Sequence, residues 1–173
     1  MGLCGSVEEI NSIVVIGIDG AGKKTIVSKL LESKSSTDNV TLSHNDSKFQ
    51  FHIINEVTEA ITKGNKHFND DAAAIVLCVD SADPYRMDEG CAQFHPTSSK
   101  EQLDALLQLP AFNECPLLVL ANKQDHNDAI DLQQISSKLC LDEITDRQWY
   151  IQGCSAHTGE GLPEALDCLS NLT

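Results

Sequence analysis

The segment Gly17-Ile18-Asp19-Gly20-Ala21-Gly22-Lys23-Lys24-Thr25 has the spacing of an anion cradle. In the pattern G-x-x-x-x-G-K-[ST], loop N–H groups surround a phosphate chain, the lysine reaches its outer phosphates, and the final hydroxyl sits on Mg²⁺. Gly17 and Gly22 allow close backbone approach, and Lys23 supplies the charge. The last position breaks the pattern, because Lys24 stands where a serine or threonine belongs. Shifting the register by one, with Lys24 as the phosphate lysine and Thr25 on the metal, would put Ile18 and Lys23 in the glycine positions. That register is rejected. Asp19, Gly20, Ala21, Gly22, Lys23, Lys24 and Thr25 are therefore the candidate phosphate-side residues, and the loss of the hydroxyl puts Mg²⁺ in question.

Two later segments have the chemistry to read a base. In Asn122-Lys123-Gln124-Asp125, the Asp125 carboxylate can accept from N1–H and the 2-amino group of guanine, a donor pair that adenine lacks. The stem of Lys123 can cover the ring face, and Asn122 can tie loops together. In Cys154-Ser155-Ala156, the Ala156 N–H can donate to guanine O6, with Ser155 beside it. Each segment alone matches an ordinary loop. Together and in this order they point to a guanine nucleotide.

These groups need a scaffold that brings several strand ends to one place. Ile13–Ile16, Ala73–Val79 and Pro116–Ala121 are apolar runs that read as buried strands. Val40–Ser43 and Lys48–Ile54 read as shorter strands joined by a turn at His44-Asn45-Asp46-Ser47, the second lying near a sheet edge because Phe49, Phe51 and Ile53 alternate with polar residues. Trp149–Gly153 reads as a further strand. Helices are expected over Thr25–Leu31, Ser98–Leu109, Leu132–Cys140 and Leu162–Leu172, with a weaker one over Thr58–Phe68. Asp80–Ser99 reads as a long irregular segment. Alternation of this kind predicts an α/β fold, a mainly parallel sheet with helices on both faces. Ligands of such sheets bind at the carboxyl ends of the strands, where the glycine loop and both base-reading segments fall.

The 173 residues suit one domain. A formal net charge of −14 argues against nucleic acid and against electrostatic attraction to anionic membranes. Seven cysteines without C-x-x-C spacing read as reduced thiols in a cytoplasmic protein. The six histidines show no metal-ligand spacing.

The chain resembles the small GTPases of the Ras superfamily and, within it, the ADP-ribosylation-factor-like (Arf-like) family. The likeness rests on Val15–Lys23, Val79-Asp80-Ser81, Leu118–Asp125, and Cys154-Ser155-Ala156 with Thr158–Leu162. It covers both ends and the second half of the chain. It implies a phosphate-loop G domain with a six-stranded sheet, GTP or GDP as cofactor, a monomer, and a trafficking, ciliary or cytoskeletal role through protein effectors. The middle departs from the family. No Pro-Thr-Ile-Gly stretch occurs between Leu31 and Lys48. The Asp-x-x-Gly-Gln stretch is replaced by Asn55-Glu56-Val57-Thr58-Glu59, which puts Asn55 at the metal-side aspartate, Thr58 at the γ-phosphate glycine and Glu59 at the water-positioning glutamine. Weak or absent hydrolysis follows, because phosphoryl transfer depends on metal, lysine and water positioning. A hydrolysing switch using Thr41 or Thr58 and a nucleotide-free interaction module are the alternatives. Lys24 either substitutes for the metal's charge or points to solvent.

Met1-Gly2-Leu3-Cys4-Gly5-Ser6 fits N-myristoylation at Gly2, with Cys4 placed for palmitoylation. One acyl chain binds membranes only weakly, with K about 10⁴ M⁻¹, and Glu8 and Glu9 follow rather than a basic cluster. Residues 1–12 are thus expected to be an acylated tail giving peripheral membrane association, and residues 13–173 the G domain.

Overall fold

The computed structural model describes residues 10–33, 41–55, 72–87 and 97–173. Six strands, β1 (Ile10–Ile16), β2 (Thr41–His44), β3 (Ser47–Ile53), β4 (Ala72–Asp80), β5 (Leu117–Asn122) and β6 (Trp149–Gly153), form one sheet in the order β2-β3-β1-β4-β5-β6. Every pairing is parallel except that of β2 with β3. The expected α/β architecture with a six-stranded, mainly parallel sheet is therefore present. β1 starts at Ile10, three residues before the apolar run that announced it, because Ile10, Asn11 and Ser12 pair with Lys48, Phe49 and Gln50. Polar residues at a strand start hide it from a hydrophobicity reading.

The sheet is covered on both faces. Alternate strand residues feed two separate cores, as the period of a strand requires. Ile13, Val15, Val76, Cys78, Leu118 and Leu120 face one layer, with Ile26, Val27 and Leu30 of α1 (Lys23–Ser33) and Leu162, Ala165, Leu166 and Leu169 of the C-terminal helix. Val14, Ile16, Ile75, Leu77, Leu117 and Val119 face the other. There they meet Leu103 and Leu106 of α2 (Ser99–Leu107) and Ile135 of α3 (Leu132–Lys138). Each fully buried aliphatic side chain stabilises the fold by about 1.5–3 kcal/mol relative to exposure.

Local chemistry sets the helix ends. The Ser98 hydroxyl accepts from the Glu101 N–H while Glu101 accepts from the Ser98 N–H, a reciprocal cap that starts α2. Asp131 and Gln134 do the same for α3. α2 stops two residues before the expected Leu109, since Pro110 holds Leu109 extended at ψ 129°. The final helix, α4 (Leu162–Leu172), spans the expected residues and has Pro163 in its first turn.

The β2–β3 connection is a two-residue turn at Asn45 (φ 47°) and Asp46 (φ 65°), tighter than the four-residue turn the sequence suggests. Two positive φ angles are what a type I′ hairpin needs, and Asn and Asp tolerate them. The tip is fastened across the domain: His44 Nε2 lies 2.6 Å from Asp167 Oδ1 of α4, and Asn45 Nδ2 donates to the same oxygen at 2.9 Å. The helix expected over 58–68 lies outside the described residues. In the described part of the segment after β4, Pro84–Arg86 make a single 3-10 turn.

Candidate nucleotide-binding site

The loop after β1 leaves the sheet beside β4, at the point where the strand order turns. A Cβ on Gly17, at φ 146°, would meet the Cys78 carbonyl oxygen at 2.3 Å, so only glycine lets the loop cross there. Across the loop, Gly22 has φ 92°, and a Cβ there would lie 2.2 Å from Asn122 Nδ2. The glycine loop and the β5 loop are packed backbone against side chain.

Lys23 opens α1 and is 5% exposed. Its ammonium donates to the carbonyls of Gly17 at 2.5 Å and Ile18 at 3.0 Å. Burial pushes its pKa below the usual lysine value, the Asp19 carboxylate opposes that, and Lys24 and Arg86 reinforce it. Three cations therefore surround one stretch of loop. Arg86, from the turn after β4, also donates to the Asp19 carbonyl at 3.0 Å.

Asn122 is buried and joins the segments, as the sequence suggests. Its Nδ2 donates to the Ala21 carbonyl at 2.9 Å, and its Oδ1 accepts from the Ala156 N–H at 2.9 Å. The amide expected to serve guanine O6 is thus bonded to Asn122. Lys123 adopts φ 66° and pairs with Asp80 at 2.5 Å. The Gln124 amide donates to the Ser81 hydroxyl at 2.8 Å. Ser155 is buried; its hydroxyl accepts from the Thr158 N–H at 3.1 Å and donates to the Asp125 carboxylate. That hydrogen bond, with smaller help from His157 and His126, holds Asp125 below the ordinary carboxylate pKa. Asp125 is exposed, so its oxygens remain open to a ligand.

Two hollows meet here. One, of about 250 Å³, is lined by Asp19, Gly20, Gly22, Lys23, Lys24, Thr25 and Asn55. The other, of about 290 Å³, is lined by Gly20, Gly22, Thr25, Asn122, Lys123, Asp125, His126, Ala156 and His157. Gly20, Gly22 and Thr25 wall both, so the two read as one elongated cleft with a phosphate end and a base end.

The structure brings together Asp19 through Thr25, Asn122, Lys123, Asp125, Ser155 and Ala156. Gly2, Cys4, Thr58 and Glu59 lie outside the described residues. Thr41 sits on the edge strand and lines neither hollow. Sequence reasoning gave no site role to Asp80, which it quoted only in the segment Val79-Asp80-Ser81, or to Arg86; their partners are 43 and 67 positions away. It also passed over His126 and His157, although each directly follows a residue it had singled out.

This combination defines an α/β phosphate-loop nucleotide-binding domain. The profile of the ADP-ribosylation factor family matches residues 3–173. The chain is 37% identical to ADP-ribosylation factor-like protein 1 of Saccharomyces cerevisiae, over 98% of this chain and 91% of that protein. It is 33% identical to ADP-ribosylation factor J of Dictyostelium discoideum, over 92% of this chain and 83% of that protein. It is 32% identical to ADP-ribosylation factor-like protein 6 of Danio rerio, over 95% and 88%. The chain belongs to the ADP-ribosylation factor family of guanine-nucleotide-binding small GTPases. Among the described residues, no helix is long and apolar enough to cross a membrane.

Proposed function

We propose that this protein holds GTP or GDP without Mg²⁺, hydrolyses GTP very slowly or not at all, and serves as a nucleotide-stabilised regulatory or scaffold protein in membrane or ciliary trafficking. In this reading Asp19, Gly20, Ala21, Gly22, Lys23, Lys24 and Thr25 hold the phosphates. Asn122, Lys123, Asp125, Ser155 and Ala156 hold the guanosine, directly or by fixing one another.

The observation that carries the reading is that Lys24 and Asn55 line the same phosphate-end hollow. A hydroxyl and a carboxylate, both able to ligate a hard cation, are replaced there by an ammonium and a neutral amide. Magnesium requires oxygen ligands in near-octahedral geometry, and a second cation close by opposes it. Like charges 4 Å apart cost about 1 kcal/mol in bulk water and about 4 kcal/mol near a protein surface. At these two positions the residues present do not suit Mg²⁺, and Lys23 and Lys24 suit an anionic phosphate chain; Asp19 and Thr25 are the oxygen-bearing side chains left in the same hollow.

Isothermal titration with GDP and with a non-hydrolysable GTP analogue tests this, in magnesium and in chelator. Equal affinities in the two media, with turnover far below that of ordinary small GTPases, are expected. Magnesium-dependent binding with ordinary turnover would overturn the reading.

Acylation at Gly2 and Cys4 would supply peripheral membrane attachment to a chain of net charge −14; the tail expected over residues 1–12 is shorter than that, because Ile10, Asn11 and Ser12 belong to β1 and so to the G domain. Mass spectrometry of protein expressed in a eukaryotic cell should show a blocked N-terminus; a free one refutes the anchor.

A further inference from the structure

A loop that cradles an anion must turn carbonyls away from it, because an inward carbonyl oxygen repels the phosphates that the N–H groups attract. In the glycine loop, donors from other groups hold the carbonyls. Those of Gly17 and Ile18 accept from the Lys23 ammonium. That of Ala21 accepts from Asn122 Nδ2, and that of Gly22 from the Ile26 N–H at 2.9 Å. These donors come from α1 and from the end of β5. The Asp19 carbonyl is held from elsewhere. Its donor is Arg86 Nη1, at 3.0 Å, on the turn after β4 and in none of the segments whose spacing points to a nucleotide.

The backbone around Arg86 is fixed. The Arg86 N–H donates to the Asp83 carbonyl at 3.3 Å, and the next residue, Met87, is buried and its carbonyl accepts from the Lys100 N–H at 2.9 Å. The guanidinium Nε is buried and has no hydrogen-bond partner among the described residues. An unpaired buried donor is unfavourable, yet the side chain keeps its hold on the Asp19 carbonyl. Arg86 lines neither hollow, whereas Gly20, on the other side of the same peptide, lines both. That peptide is trans, so its C=O and N–H point in opposite directions. A carbonyl held outside the cleft therefore aims the Gly20 N–H into it. Packing at Gly20 does not enforce this. The residue sits at φ 84°, a Cβ there would meet nothing within 4 Å, and glycine takes either sign of φ at similar cost. The orientation of the peptide is left to the bond from Arg86.

We infer that Arg86 is a positioning residue for the phosphates: its bond to the Asp19 carbonyl holds the Asp19–Gly20 peptide so that the Gly20 N–H faces the phosphate chain. This rests on the proposed nucleotide binding at the same loop. Arg86 acts on the nucleotide through the backbone and touches none of it.

The test titrates the full-length protein, as wild type, Arg86→Met and Arg86→Lys, with GDP and separately with guanosine, which has the base and no phosphate. Backbone amide NMR follows each titration. Arg86→Met keeps the length of the side chain and loses the donor; Arg86→Lys keeps a cationic donor. Arg86→Met should weaken GDP about five- to tenfold, the size of one net hydrogen bond, and leave guanosine within about twofold. The shift that GDP induces in the Gly20 amide should largely disappear, while that of Gly22 stays. Arg86→Lys should restore most of the affinity and of the Gly20 shift. Full GDP affinity in Arg86→Met would overturn the inference. So would a weakened affinity with the Gly20 shift retained, which would reduce Arg86 to a general positive charge. Equal loss for GDP and guanosine would mark a merely structural role and also overturn it. Should Arg86→Met fail to fold, Arg86→Gln makes the same comparison, because its shorter side chain also releases the carbonyl. Failure of the wild type to bind GDP would refute the nucleotide reading itself, and this inference with it, before any variant is compared.

Discussion

The two ends of the cleft are built on different principles. At the base end the polar groups are tied to one another: Asn122 to Ala21 and Ala156, Lys123 to Asp80, Ser155 to Asp125. At the phosphate end the loop backbone is kept by steric necessity at Gly17 and Gly22, while the side chains around it have changed character to Lys24 and Asn55. At the phosphate end Lys23 and Arg86 brace the loop backbone, while Lys24 is exposed and makes no such tie. A residue such as Asn122, with a partner in each of two loops, has no substitute that satisfies both. Lys24, exposed on the first turn of α1, faces no such demand.

Gly22→Ala should break both ends at once. The new methyl group would meet Asn122 Nδ2 at 2.2 Å and be forced to φ 92°. Left-handed strain costs about 1–2 kcal/mol, and the displaced Asn122 leaves buried polar atoms unpaired for about 1–3 kcal/mol more. GDP affinity should fall more than 100-fold, and the thermal midpoint by roughly 5–15 °C, at about 2–4 °C per kcal/mol for a domain of this size. A variant with wild-type melting and binding would show that the two loops are not rigidly packed.

Asp125→Ala should damage the base end alone. Two charge-assisted hydrogen bonds at about 1.5–3 kcal/mol each disappear, so GDP should weaken by 100-fold or more, while the melting temperature falls by less than in Gly22→Ala, because the side chain is exposed and only the Ser155 hydroxyl loses a partner. The lowered pKa of Asp125 adds a check. The carboxylate stays charged as pH falls from neutral, and its contribution is lost only below the ordinary value of 3.8. The preference for GDP over ADP should thus be flat from about pH 7 to about pH 5. A preference that declines across that window would mean another group sets base selection.

Lys24→Thr should produce the smallest change and the sharpest contrast. It returns a hydroxyl to the metal position and removes the competing charge. Nucleotide affinity in chelator should drop several-fold, and added Mg²⁺ should recover it. Identical behaviour of variant and wild type would place the Lys24 ammonium away from the phosphates.

Much of this was readable from the chain itself, for reasons that differ by residue. β4 and β5 are apolar up to their last residues, Asp80 and Asn122, because parallel strands at the sheet centre are buried on both faces. The glycine loop shows itself because Gly17 and Gly22 are demanded by contacts that exclude any Cβ. The order of Asn122 to Asp125 and Ser155-Ala156 suggests two segments of one site, and Asn122 does tie the second to the glycine loop. What stayed hidden were pairings between side chains far apart in sequence. No local pattern ties Arg86 to the Asp19 carbonyl or Asp80 to Lys123, since topology alone makes them neighbours. The Ala156 amide was assigned to a ligand because its bond to Asn122 crosses 34 positions. The β2–β3 turn was drawn too wide because His44 and Ser47 look like turn residues but pair across the strands.

The clasp between the hairpin tip and α4 has a consequence for synthesis. His44 and Asp167 are separated by 123 positions. At about 5–20 residues per second, the ribosome delivers Asp167 roughly 6–25 s after His44. Throughout that interval β2 is an edge strand, with backbone donors and acceptors open to any neighbouring chain, and its tip lacks the carboxylate that secures it. The strands of the hairpin are thus complete long before its tip can be fastened, and α4 secures only that tip, because β2 stays at the sheet edge in the finished fold.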